Sequence, residues 1–206
     1  MSGSAVLNEE YWDQFYSHLR RMPPSQFAVL VASELDPGTL LLDVGCGSGR
    51  DTFFFAGSGF PAVGFDRSSV AIDTNVEDAL FPHLSFVHAD ASDIDFAKAI
   101  IEASKICVYA RFFLHAVDAQ TEATLLGNLS KALPPGAVLY LEYRTLADQV
   151  TEKTFGGHFR RYVDHDALVN RMPEYGFRVA YEIQGRGMAK FAIEDPHVGR
   201  ISATRD

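Results

Sequence analysis

The segment Asp43-Val44-Gly45-Cys46-Gly47-Ser48-Gly49-Arg50-Asp51 sets glycine at every second position, behind an acidic residue and directly after the apolar run Leu40–Val44. Glycine has no Cβ, so a ligand can lie against the main chain here. Asp51 onward reads as a helix start, where exposed N–H groups can meet a carboxylate or phosphate. Together these features predict a loop that binds a nucleotide-like molecule at the carboxyl end of a strand in an open α/β sheet. The G-x-G-x-x-G spacing of dinucleotide folds would need glycine where Arg50 stands, so a dinucleotide-dependent oxidoreductase is disfavoured. Asp66 closes the next apolar run, about 20 residues beyond the loop, and its carboxylate can accept both hydroxyl hydrogens of a ribose.

A second group of residues suits a reacting partner. Tyr109-Ala110-Arg111-Phe112-Phe113-Leu114-His115-Ala116 follows the fourth apolar run. Histidine as a side-chain type changes charge near neutral pH, so His115 can serve as a general base or as a hydrogen-bonding group. Arg111 can hold an acidic group or pair with a neighbouring carboxylate. Arg144 ends the fifth apolar run, His158, Arg160 and Arg161 crowd a glycine-containing loop, and Arg186 lies between Gly185 and Gly187. In an acidic chain, such cations gathered beyond the core strands predict an anionic group on the ligand, held by forked arginine contacts. Scattered surface ion pairs are the alternative. Tyr11 and Trp12, in Tyr11-Trp12-Asp13-Gln14-Phe15-Tyr16, suit an aromatic lid over the ligands, or core packing.

The elements that must position these groups follow from periodicity. Strands are predicted at Leu40–Val44, Ala62–Phe65, Leu84–Val87, Ile106–Tyr109 and Ala137–Glu142, with helices at Asp51–Ala56, Ser69–Ala79, Phe96–Ala103 and Ala119–Leu133 between them. This is the βαβ alternation of a mostly parallel sheet. Pro134-Pro135-Gly136 stops the fourth of these helices. A helix near Asp166–Arg171 and an antiparallel hairpin, Phe177–Ile183 with Met188–Ile193, complete the pattern. Ahead of it, Glu9–Arg20 reads as an aromatic helix and Phe27–Leu35 as a segment packed on the sheet.

With 206 residues, 47% hydrophobic and 22% charged, the chain is sized for one soluble domain. Residues 1–38 would form helices and a lid, 39–142 the binding core, and 143–206 a substrate-side loop and the terminal hairpin. No apolar run reaches the roughly 20 residues of a bilayer span, and no secretory signal is visible, so a cytoplasmic location is expected. Cys46 and Cys107 read as reduced core residues. A net charge of −9 argues against extensive contact with nucleic-acid phosphates.

The pattern D-x-G-x-G-x-G, together with Asp66 and Asp90, resembles the class I S-adenosylmethionine-dependent methyltransferase family, and the likeness covers Leu40 to Glu142. That resemblance implies a doubly wound, mostly parallel seven-stranded Rossmann-like sheet with a terminal antiparallel hairpin and added amino-terminal helices. It implies S-adenosylmethionine as cofactor and S-adenosylhomocysteine as product. Asp43, Gly45, Cys46, Gly47 and Gly49 would form the binding loop, with Asp66 at the ribose, Arg67 also among the cofactor-binding residues, and Asp90 and Ala91 at the adenine. The segment at 109–116 lacks the Asn/Asp-Pro-Pro-Tyr/Phe motif of base-amine methyltransferases and is more like the histidine-containing version of small-molecule enzymes. The expectation is methyl transfer to a small or carbohydrate-like acceptor, anionic, with oxygen slightly favoured. RNA or protein methylation, and a non-catalytic cofactor-binding role, are the alternatives. Asp118 by itself is too little for a catechol-type metal site, so no metal is expected. The oligomeric state is left open.

Overall fold

The computed structural model describes residues 11–16, 21–101, 103–150, 159–191 and 193–206. Seven strands, β1 (Leu40–Val44), β2 (Ala62–Asp66), β3 (Leu84–His88), β4 (Ile106–Arg111), β5 (Val138–Arg144), β6 (Phe177–Gly185) and β7 (Val198–Arg205), form one sheet in the order β3-β2-β1-β4-β5-β7-β6. The five strands from β3 to β5 are parallel, and β7 runs antiparallel between β5 and β6. Strand order reverses between β1 and β4. A crevice opens at such a reversal, beyond the carboxyl ends of the strands, and that is where open α/β sheets bind ligands.

The helices are α1 (Gln26–Glu34), α2 (Arg50–Gly57), α3 (Ser69–Asp78), α4 (Phe96–Ala99), α5 (Ala119–Ala132) and α6 (His165–Arg171). Oxygen side chains at the preceding residue fix most of their starts: Ser25, Ser68, Asp95, Asp118 and Asp164 each accept a backbone N–H from the first turn. Both sheet faces are covered, so β1 does not alternate: its leucines and Val44 point to either side, and its one polar residue, Asp43, is buried too. Leu41 packs with Phe27, Phe55 and Tyr109 on one face, while Leu42 joins Val108, Leu125 and Leu126 on the other.

One expected strand is displaced. The partner of β6 is Val198–Arg205, and Met188–Ile193 belongs to the long connection before it, where Ile193 is 96% exposed. Of the apolar residues there, Ala189 is buried while Ile193 stands out to solvent, so they form no continuous strand face. β7 instead sits between two strands and buries Val198, Ile201 and Ala203 inward. The helix expected to run to Ala103 is one turn, Phe96–Ala99. Of Glu9–Arg20, 11–16 is helical; the remainder lies outside the described residues.

Candidate active site

A cavity of about 790 Å³ lies at the carboxyl ends of β1, β2, β4 and β5, bounded by the glycine loop and the helical segment 11–16. The loop leaves β1 with Gly45, Gly47 and Gly49 all at positive φ (76°, 52° and 69°), a conformation that L side chains adopt only at a cost. Space is as restrictive as torsion. A Cβ on Gly45 would stand 2.5 Å from the Phe113 ring, and one on Gly47 would collide with the Tyr16 hydroxyl. The loop is braced from below by Asn75, whose amide donates to the Gly47 carbonyl (2.8 Å). Arg21 donates to the Ser48 carbonyl (3.0 Å) and stacks on Phe53.

Asp66 ends β2 with its carboxylate turned into this loop. It accepts the Gly47 N–H at 2.8 Å through one oxygen and the Ser68 N–H at 2.9 Å through the other. Ser68, not Asp66, caps α3. Each carboxylate oxygen retains a lone pair, since it accepts one backbone proton. Burial pushes the Asp66 pKa up, opposed by those two N–H bonds. Asp43, buried at the end of β1 and bonded by the Thr52 hydroxyl (2.6 Å), is pushed up to about 8 by burial. Cys46 is buried in the loop, and desolvation raises its thiol well above the ordinary value, so it carries no thiolate for nucleophilic work. Arg50 lines the cavity at the start of α2; its Nε, buried, makes no hydrogen bond and meets only the Asp51 carboxylate at 3.5 Å. A side-chain-free cradle, two lone pairs on a fixed carboxylate and a donor without a hydrogen bond suit the hydroxyls and carboxylate of an amino-acid nucleoside.

The opposite wall is built by the turn after β4. Phe112 is the non-glycine residue with positive φ among those described (55°), pinned by its N–H to the Glu142 carbonyl (2.7 Å). That conformation costs about 1–2 kcal/mol. It turns Phe113 onto Gly45 and Phe112 toward the other side, where its ring meets the Arg111 guanidinium (4.1 Å), the Arg144 guanidinium (5.3 Å) and the edge of His115 (5.2 Å). His115 is buried in the 3-10 turn Leu114–Ala116, and its Nδ1 accepts the Arg144 N–H at 3.2 Å.

A family model described as a methyltransferase domain matches residues 15–182, most of the chain. The chain belongs to that family. As a class I methyltransferase it is similar to an uncharacterised methyltransferase of Synechocystis sp., 26% identical over 107 residues. The match covers 52% of this chain and 48% of that relative, so it spans about half of the relative's length. A SAM-dependent methyltransferase from Anabaena variabilis superposes with a TM-score of 0.74 at 17% identity, covering 100% of this chain and 96% of the other. The magnesium protoporphyrin IX methyltransferase of Synechocystis, solved with bound SAH, gives a TM-score of 0.63 at 17% identity, with coverage of 100% and 89%. These likenesses establish the shared fold.

The methyltransferase gathers most of the residues that its sequence singles out, but it uses them unequally. Asp43, Gly45, Cys46, Gly47, Asp66, Arg67, Asp90 and Ala91 all border the cavity, and Gly49 starts α2 beside it. Arg67 stands 4.0 Å from Asp90, whose other oxygen accepts the Ser92 N–H. Trp12 lines the cavity, stacked on Tyr16, and Tyr11 packs edge-on against Trp12.

The arginines divide. Arg111 lines the cavity and is held by Glu142 at 2.8 Å; burial works against its charge, but Glu142, Tyr109 and Asp51 together outweigh this and keep its pKa raised. Glu142 also receives Arg200 (2.7 Å). Arg144 lines the cavity between Asp148 (2.7 Å) and Glu194 (2.6 Å). Arg160 lines it too, its pKa lowered by burial and then by Arg144.

Arg161 turns elsewhere, to Glu122 and to the carbonyls of Leu114 and Val117, and so clamps the turn that carries His115. Arg186 bonds the Asp195 carbonyl (2.6 Å) at the β6–β7 connection. His158 lies outside the described residues.

Tyr16 and Phe112, which border the cavity, had no role assigned from the sequence. Tyr16 stood in the aromatic run already noted. Phe112 gave no signal, because positive φ at phenylalanine has no local signature. Among the described residues no group of three His, Cys, Asp or Glu could hold a metal ion, and no helix is long and apolar enough to cross a membrane.

Proposed function

We propose that this methyltransferase transfers the methyl group of S-adenosylmethionine to a small-molecule acceptor bearing an anionic group, with oxygen the favoured acceptor atom. One observation carries the reading: a single cavity has a glycine-loop end, with Asp66, Arg50 and Asp90, and a wall of Phe112, His115 and Arg160 at its other side. Its volume of about 790 Å³ is within the range of sites that enclose small ligands, and cofactor and acceptor must share it. When bound, the cofactor supplies an electrophilic methyl on a sulfonium.

This chain's own residues do the rest. Asp66 receives the ribose hydroxyls, Asp90 and Ala91 border the adenine, and the glycine loop with Arg50 meets the amino-acid end. Segment 11–16 keeps water from the methyl group, with Asp13 accepting the Ser68 hydroxyl (2.5 Å) as its tie to the β2 end. Phe112, His115, Arg144 and Arg160 orient the acceptor. Calorimetry with S-adenosylhomocysteine, using NADH as control, tests the reading. Micromolar binding of the first alone is expected; NADH binding in its place would return the protein to the dinucleotide class.

A further inference from the structure

We propose that the acceptor enters this site as an already ionised oxyanion, a carboxylate on a small apolar body, and that His115 meets it as a hydrogen-bond donor and not as a base. The inference rests on the methyltransferase reading above and goes beyond it in naming the acceptor's chemistry.

A neutral histidine has one donor nitrogen and one acceptor nitrogen, and its hydrogen bonds decide which is which. The Arg144 N–H points at Nδ1 from 3.2 Å, so Nδ1 is the acceptor and the proton sits on Nε2. To take a proton through Nε2, the ring would first have to carry its own on Nδ1, facing a second N–H. The turn resists rearrangement. The His115 carbonyl accepts the Arg161 N–H (2.8 Å), Ala116 N–H closes the turn onto Phe113 (2.8 Å), and Phe112 lies against the ring.

The remaining carboxylates around the cavity are committed. Asp51 accepts the Ser25 N–H (2.7 Å), the Ser25 hydroxyl (2.8 Å) and the Tyr109 hydroxyl (2.8 Å). Asp118 caps α5 through the Thr121 N–H (2.7 Å), which holds its pKa down and makes it a poor base. Glu194 pairs with Arg144. Asp43 and Asp66 stand at the glycine loop, and Asp90 at the end of β3, all on the cofactor's side.

A neutral alcohol must lose a proton as it is methylated, whereas a carboxylate need not. No group on the described acceptor wall is placed to take that proton. An amine would arrive as ammonium, also needing a base, and would face Arg160 and Lys190, both on the cavity wall. A carboxylate suits those cations, and Trp12, Phe112 and Phe159 suit an apolar body. The balance then closes without proton transfer. A carboxylate lone pair forms the new O–C bond, the C–S pair stays on sulfur, and anion plus sulfonium become a neutral ester and a thioether.

The experiment is nitrogen NMR of protein labelled with ¹⁵N-histidine, at neutral pH, after calorimetry has shown S-adenosylhomocysteine to saturate it. His115→Gln identifies the resonance and keeps a donor near the Nε2 position; His115→Leu removes it. The expected spectrum is a neutral ring with its proton on Nε2, whose signal moves on addition of benzoate and not of benzyl alcohol. Benzoate affinity should fall about tenfold in His115→Leu, the effect of one charge-assisted hydrogen bond, and be retained in His115→Gln. A proton on Nδ1, or a response to benzyl alcohol but not benzoate, overturns the proposal. Failure of the first calorimetric step instead overturns the methyltransferase reading beneath it.

Discussion

Replacing Asp66 with alanine removes four hydrogen-bonding positions at once, and the structure separates their effects. Two lone pairs are already taken by the Gly47 and Ser68 N–H groups at 2.8 and 2.9 Å. The other two are the ones available to ribose hydroxyls. Hydrogen bonds to a charged group contribute about 1.5–3 kcal/mol each, and two sharing one carboxylate do not add in full. A loss near 3 kcal/mol corresponds to about a hundredfold weaker binding of S-adenosylhomocysteine.

Stability should respond less. The two orphaned N–H groups cost about 1–3 kcal/mol each, but removal of a carboxylate that burial already disfavours offsets part of this. For a chain of this size the melting temperature should then move by only a few degrees, at about 2–4 °C per kcal/mol. Calorimetric titration of wild type and Asp66→Ala, each checked by thermal melting, gives both numbers. If the folded variant binds within about threefold of wild type, Asp66 serves the loop alone and the ribose assignment is wrong.

Three further outcomes follow from the packing. Asp43 is raised from 3.8 to about 8, so the native state holds a proton that the unfolded chain releases near pH 4. Stability therefore falls as pH rises between those values. Asp43→Asn should flatten that slope and raise ligand-free stability at pH 8 by about 1–3 kcal/mol, and melting curves at pH 5 and pH 8 that keep the wild-type difference would contradict it.

Glu142→Ala strands Arg111 and Arg200 in a buried setting, which should cost about 3–5 kcal/mol. A melting temperature within 3 °C or so of wild type would refute that. Gly47→Ala must displace Tyr16 as well as strain the loop. Trp12 is the chain's one tryptophan and stacks on Tyr16, so its fluorescence should change in the ligand-free variant; an unaltered spectrum would mean that the lid is not seated there.

The glycine loop, Asp66 and the first five strands were legible because each is a local signal. Alternating glycines need no partner to be recognised, and β1 is a run of leucines and valine interrupted only by Asp43, because both its faces are covered. β7 was not legible. Its sequence, Val-Gly-Arg-Ile-Ser-Ala-Thr-Arg, alternates apolar with polar residues, and its place between β5 and β6 depends on pairing with residues far away in the chain. Gly199 illustrates the point: a Cβ there would stand 2.5 Å from His165 Nδ1 and 2.8 Å from the Tyr143 ring, a constraint visible only once three elements meet.

The cations divide in the same way. That Arg111, Arg144, Arg160, Arg161 and Arg186 follow the core strands can be read from the sequence. Which of them face a ligand cannot, because Glu122, Glu142, Asp148 and Glu194 decide where each guanidinium turns. By itself the sequence determined the family, the sheet's parallel core and the place of the glycine loop, since these rest on spacing and on the absence of side chains. The tertiary structure decided which cations reach the cavity, the strained turn at Phe112 and the backbone N–H of Arg144 that meets His115 Nδ1. Those depend on partners brought together only by the fold, and a polar side chain's chemistry is set by the groups that surround it.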